Sequence, residues 1–257
     1  MDFEFIRYQK RDRIAYVTIN RPEVMNALHP PANDELSRAW DDFAADPDVW
    51  VGILTGAGDK AFSAGNDLKY TAQHGVPRMP KGGFGGIVAR HDLAKPLIAA
   101  VNGFALGGGL EIALACDIIV AAEHARFGLP EPRVGLMAAA GGVHRLPRHV
   151  PLKIAMGMML AARHIPAAEA ARIGLVNEVV PAADLLPAAE RWAAAILECS
   201  PLAVQATKQC AMEGLDKPLA EAMSTPYPAM ARLFASEDAL EGPRAFAEKR
   251  KPAWRGR

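Results

Sequence analysis

The sequence predicts an α/β protein with a mostly parallel sheet, followed by a region built from helices alone. Short apolar runs rich in valine and isoleucine, each bounded by turn residues, alternate with helical patterns up to about residue 180. Beyond residue 182 the apolar runs stop and only helical patterns continue. The strand, helix, strand order favours parallel pairing over hairpins, because parallel neighbours need a crossover connection. We therefore expect a core domain over 1–181 and a helical region over 182–257.

Five apolar runs have the length and composition of buried strands: RIAYVTIN (13–20), VWVGILTG (49–56), PLIAAVNG (96–103), DIIVAA (117–122) and GLVNEVV (174–180). Apolar residues at helical spacing predict helices over 32–47, 109–116 and 152–162. The first of these should be capped by Asn33 or Asp34, since short polar side chains bond the free N–H groups of a first turn.

In the C-terminal region, proline or glycine separates three helical patterns: LLPAAERWAAAILECSP, LAVQATKQCAMEG and EDALEGPRAFAEKR. The first carries an apolar stripe, which predicts packing on the core domain and less often a subunit contact. Its members are Leu186, Ala189, Trp192, Ala193 and Ile196. Segment 74–92 is instead rich in glycine and proline, which is typical of a mobile loop over a site or of a surface excursion.

Composition and charge favour a small-molecule function. Lysine plus arginine and aspartate plus glutamate number 29 each, so there is no basic field to attract a nucleic acid. The three cysteines are widely spaced, which fits a reducing cytoplasm. The N-terminal stretch lacks the apolar core of a signal peptide. Asn102, Glu111 and Asp117 interrupt the apolar stretch 97–122, so we expect no membrane span.

The sequence lacks the common motifs for nucleotides, nucleophilic catalysis and metals. It has no G-x-G-x-x-G after a strand, no G-x-x-x-x-G-K-[ST] and no G-x-S-x-G. The GGFGG stretch (82–86) follows no predicted strand, and the seven histidines stand singly, without H-E-x-x-H. We therefore expect neither a metal ion nor a nucleotide cofactor.

Two stretches place a loop of small residues directly after a strand. One runs from the strand end near Thr55 into Ser63–Asp67, and the other runs from Val101 into the triple glycine 107–109, which opens a helix. The first N–H groups of a helix have no acceptor within it. If the amides of Ala64 and Gly108 point at one spot, they form an oxyanion hole worth roughly 3–4 kcal/mol per donor. Tight packing of helix on strand explains the glycines equally well.

Two carboxylates lie in apolar surroundings. Glu111 falls in the first turn of the helix that the glycines open, where the positive end of the helix dipole tolerates a carboxylate. Glu131 lies between Pro130 and Pro132 in the stretch ARFGLPEPRVGL. Such a pair indicates an acid and a base, although each could also be a satisfied structural glutamate.

These stretches together resemble the crotonase family, also called the enoyl-CoA hydratase/isomerase superfamily, over essentially the whole chain. The matching pieces are INRPEVMNAL (19–28), AFSAGNDLK (61–69), AAVNGFALGGGLEIALACDIIVAAEHARFGLPEPRVGL (99–136), GGVHRLPR (141–148), EAARIGLVNEVV (169–180) and EGPRAFAEKRKPAW (241–254).

The resemblance implies a spiral of ββα units with a C-terminal helical trimerisation region, assembled as a trimer or a dimer of trimers. It implies acyl thioesters of coenzyme A as substrates, so that coenzyme A is part of the substrate and no cofactor or metal is needed. The thioester carbonyl would lie between the amides of Ala64 and Gly108, with Glu111 and Glu131 as the catalytic pair. Further substrate contacts are implied for Ser63, Gly65, Asn66, Asp67, Lys69 and Lys249.

The implied reaction is the reversible syn addition of water to a trans-2-enoyl-CoA. Glu111 would deprotonate the water that attacks C3, and Glu131 would deliver a proton to C2. Two alternatives are an enoyl-CoA double-bond isomerase, in which one glutamate moves a proton without adding water, and an acyl-CoA-binding protein without catalysis.

The chain departs from the family pattern at two places. Ala138 and Ala139 stand where hydratases commonly have a Pro-Gly pair, and Glu23 stands where a lysine that contacts the coenzyme A phosphates is frequent. The C-terminal tail and the GGFGG stretch are more similar to those of carnitinyl-CoA dehydratases, which favours a branched or polar acyl group.

Overall fold

The computed structural model describes residues 2–75 and 78–257; the irregular segment predicted over 74–92 includes residues 76 and 77, which lie outside the described residues. The strands are β1 (Ile6–Arg11), β2 (Ile14–Ile19), β3 (Val51–Gly56), β4 (Ala61–Ser63), β5 (Leu97–Val101), β6 (Phe104–Leu106), β7 (Ile118–Ala122), β8 (Arg126–Gly128), β9 (Ile165–Pro166) and β10 (Glu178–Val180). The helices are α1 (Pro30–Ala45), α2 (Leu68–His74), α3 (Gly108–Ala115), α4 (Gly142–His149), α5 (Leu152–Leu160), α6 (Ala167–Arg172), α7 (Leu185–Leu197), α8 (Pro201–Gly214), α9 (Leu219–Ser224), α10 (Pro228–Phe234) and α11 (Glu237–Ala247).

A six-stranded sheet in the order β1-β2-β3-β5-β7-β10 forms the centre of the fold. All neighbours in it are parallel except β1 and β2, which pair antiparallel. This confirms the predicted class and the five predicted strands. The β1–β2 hairpin was not predicted, because β1 is an edge strand in which only Ile6 is buried and no apolar run marks it.

A second sheet of four short strands, in the order β4-β6-β8-β9, was not predicted. The pairs β4–β6 and β6–β8 are parallel, and β8–β9 is antiparallel. Strands of two or three residues are too short to show a hydrophobic period, which explains why the sequence did not reveal them.

Helix α1 packs on the main core, with the side chains of Trp40 and Phe43 fully buried. It begins at Pro30, three residues before the predicted cap Asn33, and His29 precedes it as the cap residue. Asn33 lies instead inside the helix, where its side chain donates to the His29 carbonyl. Two prolines at the first positions of the helix explain the earlier start, since their fixed φ suits a first turn.

Over residues 82–92 the prediction of a mobile loop or a surface excursion is wrong, because segment 82–93 packs into the core through four buried side chains, those of Phe84, Ile87, Val88 and Leu93. Gly85 is fastened on both sides, because its N–H donates to Asn33 at 2.6 Å and its carbonyl accepts from the Trp40 indole at 3.1 Å. Buried apolar side chains and satisfied backbone groups fix this segment over α1.

In the C-terminal region, α7 packs on the other face of the six-stranded sheet. It contributes four buried side chains: Leu185, Ala188, Ala189 and Ala193. The predicted packing on the core is therefore confirmed for four members of the stripe: Ala189, Trp192, Ala193 and Ile196. Leu186 is exposed, because the buried face is turned slightly around the helix. Helices α9 and α10 were not predicted, and neither were α2, α4 and α6 in the core domain. The region also leaves large apolar side chains exposed: Met212, Leu215, Leu219, Met223, Phe234, Leu240 and Phe246.

Neither a membrane-crossing helix nor a cluster of metal-binding side chains is present in the part of the chain that the structure describes. No helix over 2–75 and 78–257 is long and apolar enough to span a bilayer. The same residues contain no group of three or more histidine, cysteine, aspartate or glutamate side chains that could hold a metal ion.

Candidate active site

Three parallel strands of the small sheet end at one edge and deliver three loops there. Loop 64–66 follows β4, Gly107 and the first turn of α3 follow β6, and residues 129–130 lead from β8 into the 3₁₀ turn that begins at Glu131. Because neighbouring parallel strands have their carboxyl ends on the same side, residues distant in the sequence meet at this edge. The hydrogen bonding between β6 and β8 extends one residue beyond β6, because the Gly107 N–H donates to the Gly128 carbonyl at 2.9 Å.

Glu111 lies in the first turn of α3 and is only 3% exposed. Its Oε1 accepts a hydrogen bond from the Gly142 N–H at 2.8 Å. Burial, and to a smaller extent the nearby charge of Glu131, raise the pKa of this carboxyl to about 7, although the Gly142 bond and the Arg145 charge act in the opposite direction. Glu111 can therefore take up or release a proton near neutral pH.

Glu131 begins the 3₁₀ turn Glu131–Val134 and is half-buried. Burial raises the pKa of its carboxyl above the ordinary value. Its Oε2 is buried and has no hydrogen-bond partner among the described residues. A buried polar atom without a partner costs free energy, so this oxygen is available to a molecule bound beside it.

The two glutamates meet at Gly107. The Gly107 carbonyl accepts the Glu111 N–H at 3.0 Å, and a methyl group on the Gly107 α-carbon would lie 2.9 Å from Glu131 Oε1. Gly107 has a positive φ of 54°, which favours glycine and keeps this space free of a side chain. Both glutamates therefore adjoin Gly107, and the Glu131 charge is close enough to raise the pKa of Glu111, while the role of each glutamate stays a prediction.

The structure supports Gly108 as an amide donor but not Ala64. Gly108 is the first residue of α3, and its N–H has no acceptor in the described parts of the chain. The Ala64 N–H, in contrast, already donates to the Met25 carbonyl at 3.0 Å. An amide that is committed to the protein is a poor donor to a ligand, so the assignment of Ala64 needs correction.

The amide of Asn66 is the better second donor. On either side of it, the Gly65 N–H bonds Ser63 Oγ at 3.1 Å and the Asp67 N–H bonds the Leu28 carbonyl at 2.9 Å. The Asn66 N–H has no acceptor within residues 2–75 and 78–257. A methyl group on Gly65 would lie 2.8 Å from the Gly108 nitrogen, which places the Gly65–Asn66 peptide beside that amide. Sequence reasoning included Asn66 only as a substrate contact.

Ser63 and Asp67, both predicted to contact substrate, serve the loop itself. Ser63 is fully buried, and its hydroxyl donates to the Asn26 carbonyl at 2.8 Å. Asp67 caps α2 and forms an ion pair with Arg21 at 3.1 Å. Burial alone would raise the pKa of Asp67, but the Tyr70 N–H and the Arg21 guanidinium hold it below its usual range. The prediction of direct contacts is therefore not supported for these two side chains.

The remaining predicted contacts are distributed over two regions. Gly65 is buried within the loop, with its carbonyl accepting from the Leu28 N–H at 2.7 Å. Lys69 is exposed on the first turn of α2. Lys249 is exposed beyond the end of α11, a helix that packs mainly on α10 and not on the elements of the site. Over the described residues, a single chain thus gives no extensive contact between the Lys249 region and the elements that carry the glutamates.

Residues 138–140, which include the two alanines that depart from the family pattern, pack beside Glu111. Ala138 is buried, and its side chain would lie 2.8 Å from a methyl group on Gly142, the residue that donates to Glu111. The backbone of Ala140 also faces the Glu111 carboxylate and favours its charged form. Small residues allow the main chain to approach the carboxylate this closely.

Comparisons with known proteins agree on one family. A family model described as enoyl-CoA hydratase/isomerase matches residues 9–257. An (E)-benzylidenesuccinyl-CoA hydratase from Thauera aromatica is 42% identical over 256 residues, which cover 95% of this chain and 96% of the relative. A carnitinyl-CoA dehydratase from Salmonella arizonae is also 42% identical, over 262 residues that cover 98% of this chain and 99% of the relative.

Solved structures show the same likeness in three dimensions. The crystal structure of an enoyl-CoA hydratase from Mycobacterium tuberculosis H37Rv superposes with a TM-score of 0.93 at 41% identity, covering 98% of this chain and 99% of that one. An enoyl-CoA hydratase/isomerase from Mycobacterium paratuberculosis superposes with a TM-score of 0.91 at 34% identity, covering both chains completely.

Proposed function

Because the chain belongs to the enoyl-CoA hydratase/isomerase family, whose members act on acyl-CoA thioesters, we propose that it adds water reversibly to a trans-2-enoyl-CoA. The observation that carries this proposal is the meeting of Glu111 and Glu131 at Gly107, beside the unengaged amides of Gly108 and Asn66. A hydratase needs an acid, a base and an acceptor for negative charge within one small space.

The two amides would bind the thioester oxygen. Their N–H groups are held by the ends of β4 and β6, so they need no rearrangement as negative charge develops on that oxygen. Each donor of this kind lowers the barrier by roughly 3–4 kcal/mol. Drawing electrons towards the thioester oxygen makes C3 of the conjugated double bond electrophilic.

The two glutamates would then divide the proton transfers. Glu111 takes a proton from the water whose oxygen bonds to C3, and Glu131 gives a proton to C2, so one hydroxyl and one hydrogen are added. After one turnover the proton is on Glu111 and the negative charge is on Glu131. Before the next hydration, Glu111 must lose its proton and Glu131 must gain one. The pKa values of both carboxyls are raised, so this proton exchange needs little free energy.

A panel of enoyl-CoA thioesters in isotopically labelled water tests the proposal. Short, long, aromatic and betaine-bearing thioesters are assayed by loss of enoyl absorbance, and the product is analysed for the label. Label on C3 is expected for a hydratase, whereas movement of the double bond without label would show an isomerase. The aromatic and betaine-bearing members are chosen because two relatives are named for benzylidenesuccinyl-CoA and carnitinyl-CoA.

Single Gln variants test the two roles. Glu111→Gln and Glu131→Gln should each lower kcat by about 10²–10⁴-fold while acyl-CoA binding is largely kept, because each removes one proton transfer. Glu123→Gln, a change at an exposed glutamate beyond β7, is the matched control and should keep full activity. Wild-type turnover in either site variant would remove that residue from the mechanism.

We also propose that the protein works as a homo-oligomer, a trimer or a dimer of trimers. The support is the set of large apolar side chains that α8, α9, α10 and α11 leave exposed in one chain. Lys249 would then reach a coenzyme A phosphate of a neighbouring subunit. Light scattering coupled to size exclusion tests this, and a monomer at micromolar concentration would contradict it.

A further inference from the structure

Arg145 connects helix α4, which begins at the residue that binds Glu111, to the buried segment 82–93. It lies on the first turn of α4, where its N–H donates to the Gly141 carbonyl at 2.7 Å. Its guanidinium folds back over the α-carbon of Gly141, which has a positive φ of 108°. Its Nη2 donates to the Val88 carbonyl at 2.6 Å. The side chain thus links α4 to the buried segment 82–93.

The same turn presents the hydrogen-bond donor that Glu111 uses. Gly142 directly follows Gly141, and its N–H bonds Glu111 Oε1 at 2.8 Å. Arg145 is half-buried, and no carboxylate within 2–75 and 78–257 forms a salt bridge with it. The guanidinium and the Glu111 carboxylate influence each other: Arg145 lowers the pKa of Glu111, and Glu111 raises the pKa of Arg145, so each favours the charged form of the other.

Few charged groups face Glu111 from the elements packed around it. Glu131 faces it from the turn after β8, and Arg145 faces it from α4. Segment 82–89, β6 and the loop after β4 contain no titratable side chain between them. Arg145 is therefore the cation that opposes the burial of Glu111 and the repulsion from Glu131.

We propose that Arg145 is a positioning residue of this site: its guanidinium, which bonds the Val88 carbonyl and lies over Gly141, places a positive charge beside the turn whose Gly142 N–H binds Glu111. Its catalytic consequence rests on the proposed hydratase function, since an ionised Glu111 is the form that can accept a proton from water. One N–H group of the planar guanidinium bonds the Val88 carbonyl, while the rest of the group lies over Gly141, the residue before the Gly142 donor to Glu111.

Infrared titration of the free protein tests the proposal without any substrate. The carboxylic C=O band of Glu111 is identified by its loss in Glu111→Gln, and its pH midpoint is measured in each variant. Arg145→Met, which fills the space without a charge, should raise the midpoint by about one pH unit, because a nearby cation favours the carboxylate. Arg145→Lys keeps the charge and should give less than half of that shift. Deuterium exchange of the 82–89 amides should become faster in both variants.

Arg148→Met is the matched control, since Arg148 is exposed on the same helix and its guanidinium lies 3.8 Å from Asp216. It should leave the midpoint unchanged. If Arg145→Met does not fold, Arg145→Gln provides the same neutral substitution. An unchanged midpoint in the folded neutral variant, or an equal shift in the lysine variant, would overturn the proposal. Because no substrate is involved, this failure is distinct from failure of the hydratase proposal, which the labelled-water assay detects.

Discussion

The two sheets of this protein divide stability and chemistry between them. In the six-stranded sheet, β3 and β5 are buried along almost their whole length, and the apolar side chains on the two faces belong to two different core clusters. In the four-stranded sheet, β4, β6 and β8 have only three residues each, and the loop after each strand matters more than the strand itself. The large sheet holds the fold together, and the small sheet sets where three loops meet.

The largest predicted effect is on catalysis and concerns the main-chain amide of Asn66, in the loop that follows β4 of the small sheet. Replacing Asn66 by its α-hydroxy acid turns the 65–66 peptide into an ester and removes one N–H. We expect kcat to fall by about 10²–10³-fold, or roughly 3–4 kcal/mol in the barrier, because one oxyanion donor is lost. The assay uses the best thioester of the panel, and thermal melting shows whether the fold is kept.

The same ester at Ala64 is the control for this prediction. It removes the hydrogen bond to the Met25 carbonyl, so the free energy of unfolding should fall by about 1 kcal/mol while kcat changes only a few-fold. A large loss of kcat at Ala64 with none at Asn66 would restore the donor that the sequence predicts.

The second effect contrasts one glycine near each sheet. A methyl group on Gly109 would overlap the Ser63 carbonyl, which is backbone and cannot move away. A methyl group on Gly52, in β3, would lie 2.6 Å from the tip of the Leu97 side chain, which can change rotamer. Gly109→Ala should therefore lower the free energy of unfolding by roughly 3 kcal/mol, and Gly52→Ala by only about 1 kcal/mol.

Urea unfolding of both variants measures this contrast. Equal losses would mean that the small sheet tolerates change as well as the large one, and the division of roles would be wrong. Loss of activity without loss of stability in Gly109→Ala would instead show that α3 shifts and leaves the fold intact.

Five of the six strands of the large sheet could be predicted from the sequence, and the strands of the small sheet could not. Runs such as VWVGILTG carry their own pattern of buried residues, so β3 can be recognised from local composition alone. The three residues of β6, by contrast, form a strand because β4 and β8 lie on either side. Their pairing depends on residues far away in the sequence, and no local pattern records it.

The sequence predicted the two acids of the candidate site and one amide donor, Gly108, but not the second donor, Asn66. Glu111 and Glu131 stand out because a carboxylate inside an apolar stretch is unusual, and the resemblance to a known family paired them. Which amide of loop 64–66 is free depends on where the Met25 and Leu28 carbonyls lie, and only the folded chain shows that. Burial of segment 82–93 likewise depends on distant partners such as Asn33.

The smallest effect concerns the stability that Glu111 costs the fold, in contrast to the core side chains of the large sheet. Its pKa rises from the ordinary 4.5 to about 7 on folding, so the folded protein keeps a proton that the unfolded chain releases between these two values. The contribution of Glu111 to the free energy of unfolding should therefore fall as the pH rises from 4.5 to 7 and stay level above. Glu111→Gln cannot ionise, so its stability relative to wild type should rise by roughly 2–3 kcal/mol between about pH 4.5 and about pH 8.

Urea unfolding at several pH values measures this difference, with Glu123→Gln as a control that should show no such rise. Any cost of burying the new amide is the same at every pH, so it shifts the curve without changing its slope. A flat difference would mean that Glu111 ionises as easily in the folded protein as in the unfolded chain. Burial would then not raise the pKa of Glu111, and keeping this carboxylate in the site would not cost the fold any stability.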